Sequence, residues 1–205
     1  MERTFDPTWD SAFKGSPFWL RFELGGEDFG CVDAPVPRFV QALTRARYIR
    51  DALFADSEQV WAIAASYAEP IRDFYAPVPD AFEALSKIGF NGSTSAEWRA
   101  PLSSNEHGDE DEDFVWRAFD VTLDIRNQDA LLWCSICYEM PIEPKSPVVS
   151  HLADFQRGIL LHVYDDRGMD VLALEADPLL PLYERFDAWL LDYDRELMRA
   201  AFAGV

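Results

Sequence analysis

Positive charge is scarce in this sequence. Against 37 acidic side chains stand 18 basic ones, a formal balance of −19, and Lys and Arg nowhere form a run. Binding to a phosphate backbone needs clustered cations, so nucleic acid is not an expected partner. Anionic membrane surfaces are disfavoured for the same reason. Long apolar runs are missing as well, and no stretch approaches the ~20 apolar residues of a membrane span. The opening MERTFDPTWD has no basic segment followed by an apolar run, so a secretory signal is not expected. Cysteine and histidine are rare, three of each. Three cysteines cannot all pair, which points to a reduced, cytoplasmic setting. No internal repeat is visible.

What the chain does have is hydrophobic mass. Of its 205 residues, 49% are apolar and 14% aromatic. That is far from the composition of a disordered acidic chain, and at this length folding can bury roughly 70% of the unfolded surface. One domain spanning 1–205 is expected.

Patterning gives the elements. Phe18 to Leu24 alternates, with Leu20, Phe22 and Leu24 on one side and Arg21 and Glu23 on the other, as a half-buried strand does. From Arg38 to Phe54 the apolar positions fall on one helical face. Val60 to Tyr67 is an apolar run suited to a buried strand, and a short helix is expected over Asp80 to Lys87. Residues 91–113 read as an exposed acidic loop, since six of the eight residues from Glu106 to Asp113 are acidic and such like charges resist packing. Phe114 to Ile125 and Leu131 to Met140 read as strands. Phe155 to Tyr164 and Met169 to Leu174 flank Asp165-Asp166-Arg167-Gly168, a hairpin turn whose glycine suits a positive φ. Asp177 and Pro178 are suited to open a helix, and apolar residues then recur at helical spacing to about Phe202. The expected fold is α+β: a mostly antiparallel sheet, a few helices on one face, and a long amphipathic C-terminal helix.

Several patterns could carry chemistry. Trp133-Cys134-Ser135-Ile136-Cys137 has the WCxxC order of thioredoxin-like oxidoreductases, which need the first thiol at a helix N-terminus. On a strand, residues three apart face opposite sides, so these two read as core cysteines. Cys31, His107, His151 and His162 supply no second close pair for zinc, and the acidic segment lacks the spaced oxygens of a calcium loop. No metal and no cofactor is expected. Two clusters of Asp and Arg remain: Asp165, Asp166, Arg167 and Asp170 in the hairpin, and Asp192, Asp194 and Arg195 after Trp189. Arg195 or Arg167 could reach across as a bidentate partner for the other element's carboxylate. That would make a structural lock. Paired aspartates can also do acid–base or metal work, but no nucleophile–base pair, phosphate loop or HExxH accompanies them, and the lock is the favoured reading.

These clusters also carry a resemblance. LRFELG, then HVYDDRGMDVLAL, then LYERFDAWLLDYDRELMRAAF resembles a bacterial family known as domain of unknown function 3885. Its signature falls here on His162, Tyr164, Asp165, Asp166, Arg167, Gly168, Asp170, Tyr183, Phe186, Trp189, Asp192, Tyr193, Asp194 and Arg195. The resemblance implies a standalone cytosolic bacterial protein and supplies no activity or catalytic residues. Small acidic α+β proteins of this kind look like immunity partners of bacterial toxins. The expectation is therefore an acidic protein that neutralises a basic toxin domain by binding it. Its contacts would be Glu106, Asp109, Glu110, Asp111, Glu112 and Asp113, with Trp116 as an anchor. The alternative is a hydrolase using the aspartates at 165–170 and 192–194.

Overall fold

A computed structural model describes residues 16–67, 80–100 and 114–203. The strands are β1 (Phe18–Glu23), β2 (Trp61–Tyr67), β3 (Thr94–Ala100), β4 (Phe114–Asp120), β5 (Val149–Asp154), β6 (Ile159–Val163) and β7 (Gly168–Ala173). The helices are α1 (Pro35–Leu53), α2 (Ala81–Lys87), α3 (Ile125–Cys137), α4 (Leu180–Arg185) and α5 (Arg195–Phe202). The strands form one sheet in the order β1-β7-β6-β5-β2-β4-β3, with every neighbouring pair antiparallel. The fold class is α+β.

Strand alternation gives the sheet two faces. On one, Leu20, Phe22, Met169, Val171, Ile159, Leu161, Leu152, Ala62, Ala64 and Phe119 meet apolar residues of all five helices. Burial of each larger side chain there is worth on the order of 2 kcal/mol. Helix α1 lies on this face because Phe39, Ala42, Leu43, Ala46, Ile49 and Leu53 share one side of it. It starts earlier than expected: Pro35 occupies its first turn, where a missing N–H costs nothing. On the other face, two smaller apolar clusters gather around Leu160 and Leu172 and around Phe114 and Trp116.

Four expectations are corrected. Leu131 to Met140 is not a strand but mostly the body of α3. Asp124 caps this helix by accepting from Asn127 N–H at 3.0 Å. Leu131, Leu132, Cys134, Ile136 and Cys137 are all buried, and a helix enclosed on nearly every side loses the periodicity that marks amphipathic ones. Phe155 to Gly158 is a turn, with Gly158 at φ 63°, and β6 starts after it. The expected positive φ is thus here and not at Gly168. A side chain at Gly168 would instead meet the Tyr164 hydroxyl and, at 2.7 Å, the Phe22 carbonyl. Within residues 91–113, Thr94–Ala100 is strand β3, while the acidic residues 106–113 lie outside the described residues.

The C-terminal helix is present but divided. Between α4 and α5 come two 3₁₀ turns, Asp187–Trp189 and Asp192–Asp194, separated by extended backbone at Leu190 and Leu191. That extended step serves β1. Leu190 bridges Phe22, and Leu191 N–H donates to the Arg21 carbonyl at 2.9 Å. The helical ladder is interrupted so that two residues can close the sheet's outer edge.

Candidate functional site

The side chains on the second face form a line. Cross-strand register sets Arg21 beside Asp170, Asp170 beside His162, His162 beside His151, and His151 beside Ile63. Direct cross-strand neighbours lie about 5 Å apart at Cβ, so β1, β7, β6 and β5 bring a cation, a carboxylate and two imidazoles into one row.

At the β1 end stands an ion triad. Arg21 Nε donates to Asp170 Oδ1 at 2.7 Å and Nη2 to Oδ2 at 3.0 Å. Its Nη1 donates to Asp194 Oδ2 at 2.8 Å. Both carboxylates are buried, while the Arg21 side chain keeps 27% of its exposure. Burial raises the Asp170 carboxyl above its ordinary value, and the Arg21 hydrogen bonds oppose that rise. The same pairing raises Arg21 further. One guanidinium therefore ties β1, β7 and the last 3₁₀ turn together.

In the middle, His151 and His162 stack at 4.4 Å between ring centroids. His162 Nδ1 lies 3.1 Å from the Ser150 carbonyl, which makes it the protonated nitrogen of a neutral ring. Burial lowers His162 to about 4. Burial also takes His151 well below its ordinary value, and a charge on His162 would lower it further. The stack continues outward through Trp116, 6.4 Å from His151, to Trp98 at 6.2 Å and nearly parallel. On the other side Tyr164 lies 6.4 Å from His162, its hydroxyl raised by burial.

The remaining signature residues hold the corners. Asp165 accepts from Arg167 N–H at 2.7 Å and from Arg167 Nε at 2.8 Å, closing the hairpin turn on itself. Asp166 takes the guanidinium of Arg38, which also donates to the carbonyls of Gly26 and Phe29 at 2.8 Å each. The turn is thereby fixed to the start of α1. Arg195 bonds Asp192 at 2.9 Å and Asp187 at 2.7 Å, both within its own segment. Trp189 stacks on Phe186 at 5.0 Å beneath the Arg45 guanidinium. Tyr193 points outward, 91% exposed.

The lock between hairpin and C-terminal segment thus exists, but its cations differ from those expected. Arg195 stays within its own segment, and Arg167 pairs with Asp165 in its turn and with Glu139 at 3.5 Å. Arg21 joins the hairpin to the C-terminal segment, and Arg38 joins the hairpin turn to α1. The alternation of FWLRFEL sets Arg21 opposite the core residues, but it does not show that this opposite face is itself covered. His151 has no sequence signal beyond its rarity. Trp116 is 2% exposed, enclosed by Trp98 and His151, and is not positioned as a surface anchor. Glu106, Asp109, Glu110, Asp111, Glu112 and Asp113 lie outside the described residues. Cys134 and Cys137 sit together in the last turns of α3, where burial raises both thiols, Cys137 to about 12. That is the reverse of an activated redox thiol. The pair is buried because of where the helix places it, and strand geometry does not separate it.

Among the described residues no helix is long and apolar enough to cross a membrane. A family model described as Domain of unknown function (DUF3885) matches residues 1–194, well beyond the hairpin and C-terminal motifs. No curated protein and no solved structure matches the chain.

Proposed function

The chain belongs to the DUF3885 family, and from that premise we propose that it is an acidic cytoplasmic binding protein, an immunity protein that neutralises a basic bacterial toxin domain by covering it. One observation carries this reading. The signature carboxylates that most resembled an active site are engaged by the chain's own arginines. Asp165 holds Arg167, Asp166 holds Arg38, and Asp170 and Asp194 share Arg21. A carboxylate whose oxygens are taken up by a guanidinium within the fold has those oxygens committed to a structural contact. The signature then serves the framework. The excess charge of −19 is left for a partner. Such a field speeds encounter with a basic surface and imitates a phosphate backbone. Glu106, Asp109, Glu110, Asp111, Glu112 and Asp113 are the first contact candidates.

Co-expression with any toxin-like reading frame found beside the gene tests the reading. Rescue of growth is expected, together with a complex whose association slows as salt rises. Changing the six acids to Asn and Gln should weaken rescue without altering the melting temperature. Absence of both rescue and complex overturns the proposal. The hydrolase reading survives best at Asp192, whose carboxylate is 91% exposed. A hydrolytic activity abolished by Asp192→Asn would favour it.

A further inference from the structure

The two ends of the sheet are finished differently. On β1 the outer side is occupied: Leu190 bridges Phe22, Leu191 donates to the Arg21 carbonyl, and Arg21 N–H points to Met198 Sδ at 3.2 Å. On β3, among the described residues, only the inner side is paired, with β4. Thr94, Ser95, Ala96, Glu97 and Arg99 are exposed. An open edge is a template for another strand.

The sequence of β3 indicates which strand. Across a two-fold axis at Trp98, an antiparallel copy of Ala96-Glu97-Trp98-Arg99-Ala100 sets Glu97 opposite Arg99 of the second copy. It sets Arg99 opposite that copy's Glu97, Ala96 opposite Ala100, and Trp98 opposite Trp98. Opposed unlike charges stabilise such pairs and like charges would disfavour them. The inner neighbour strengthens the match. Arg117 Nε donates to Glu97 Oε2 at 2.8 Å, so the row would run Arg117, Glu97, Arg99 of the second copy. Arg99 has no carboxylate partner within its own chain among the described residues, although the sequence holds 37 acids. On the other face the Trp98–Trp116 stack would continue into the second copy's Trp98. The shift in register between Thr94 and Ala96 ends the regular stretch, which limits pairing to the five symmetric residues.

We propose that β3 is a self-pairing edge: two copies join antiparallel about Trp98 into one continuous sheet, with Glu97 and Arg99 as the specificity-determining pair. An interface of this form is isologous, so one charge reversal is felt twice. The chain's net charge opposes association, and the pairing is expected to be weak and reversible.

Sedimentation velocity of the full chain over a concentration series tests this. The wild-type chain should shift towards twice the monomer mass as concentration rises. Glu97→Lys and Arg99→Glu should each remain monomeric at concentrations where the wild type pairs. An equimolar mixture of the two should recover the dimer, because each reversed charge then faces its opposite and the unaltered Arg99 of one chain faces the unaltered Glu97 of the other. Circular dichroism melts establish that each variant is folded, and Arg99→Gln replaces any reversal that is not. A wild-type chain monomeric throughout, single reversals that pair like the wild type, or a mixture that stays monomeric would each overturn the proposal. None of these outcomes bears on toxin binding, which co-expression reads separately.

Discussion

Strands β1 and β3 both end the sheet, yet their outer sides meet opposite fates. β1 carries Arg21, which binds two buried carboxylates from other elements, and its backbone is bridged by Leu190 and Leu191. β3 carries Glu97 and Arg99 into solvent, with one ion pair to its neighbour Arg117. The difference shows how charge finishes an edge. A charge that faces inward and finds partners seals a strand to the rest of the fold. A charge that faces outward leaves the strand soluble and selective about what can pair with it. The family signature is concentrated at the sealed edge and the turn beside it.

The comparison breaks most forcefully at Arg21. Arg21→Ala leaves Asp170 and Asp194 buried beside one another with no cation between them. Losing one partner of a buried pair costs about 3–5 kcal/mol, and here two carboxylates lose the same one. Urea unfolding should show a loss in that range, and an effect under about 1 kcal/mol would mean that the β1 edge is not locked by this residue. Arg38→Ala tests the neighbouring corner and should cost less, since it leaves a single carboxylate, Asp166, unpaired.

Acid should open the second face next. His151 and His162 are held neutral, their folded values below those of an unfolded chain. The unfolded chain therefore binds more protons as pH falls below about 6.5, and stability declines from there towards His162's value of about 4. Each imidazole contributes up to about 1.4 kcal/mol per pH unit in that window. Asp170 acts in the opposite sense, because its raised folded value favours the folded state on protonation. Chemical denaturation at pH 7, 6, 5 and 4 should give a slope that His162→Gln reduces. A slope unchanged by that substitution would place the acid sensitivity elsewhere.

Much of the sealed edge is legible in the sequence, and the reasons mark where legibility stops. Alternation places Leu20, Phe22 and Leu24 inward because strand period is rigid, and the hairpin at 165–168 follows from its turn residues. What alternation cannot reveal is whether the other face meets water. Arg21 reads as solvated because charge usually is, and only the register that brings Asp170 beside it shows otherwise. Helix α3 reads as a strand because an element buried on most sides has no polar stripe. The break at Leu190 and Leu191 is invisible for a related reason: local spacing there is helical, and a tertiary bond to β1 overrides it. Arg167 and Arg195, the nearest arginines in sequence to the signature aspartates, bond aspartates of their own segments, while the long-range bonds to the signature aspartates come from Arg21 and Arg38.

The smallest expected effect sharpens this contrast between local and long-range pairs. Arg195 and Asp192 are three residues apart at 2.9 Å, with the Asp192 carboxylate 91% exposed. Exposed ion pairs of this kind contribute about 0.2–1 kcal/mol, and salt screens them. Asp192→Ala should therefore lower stability by less than about 1 kcal/mol, and 0.5 M salt should erase most of the difference. Arg195→Ala should cost slightly more, because its guanidinium also reaches Asp187 and the carbonyls of Asp187 and Leu190. Those carbonyls border the extended step that covers β1, so the Arg195 effect should appear together with faster amide exchange at Leu191. If Asp192→Ala costs as much as Arg21→Ala, the lock lies in the C-terminal segment itself and the sealed edge is its consequence, not its cause.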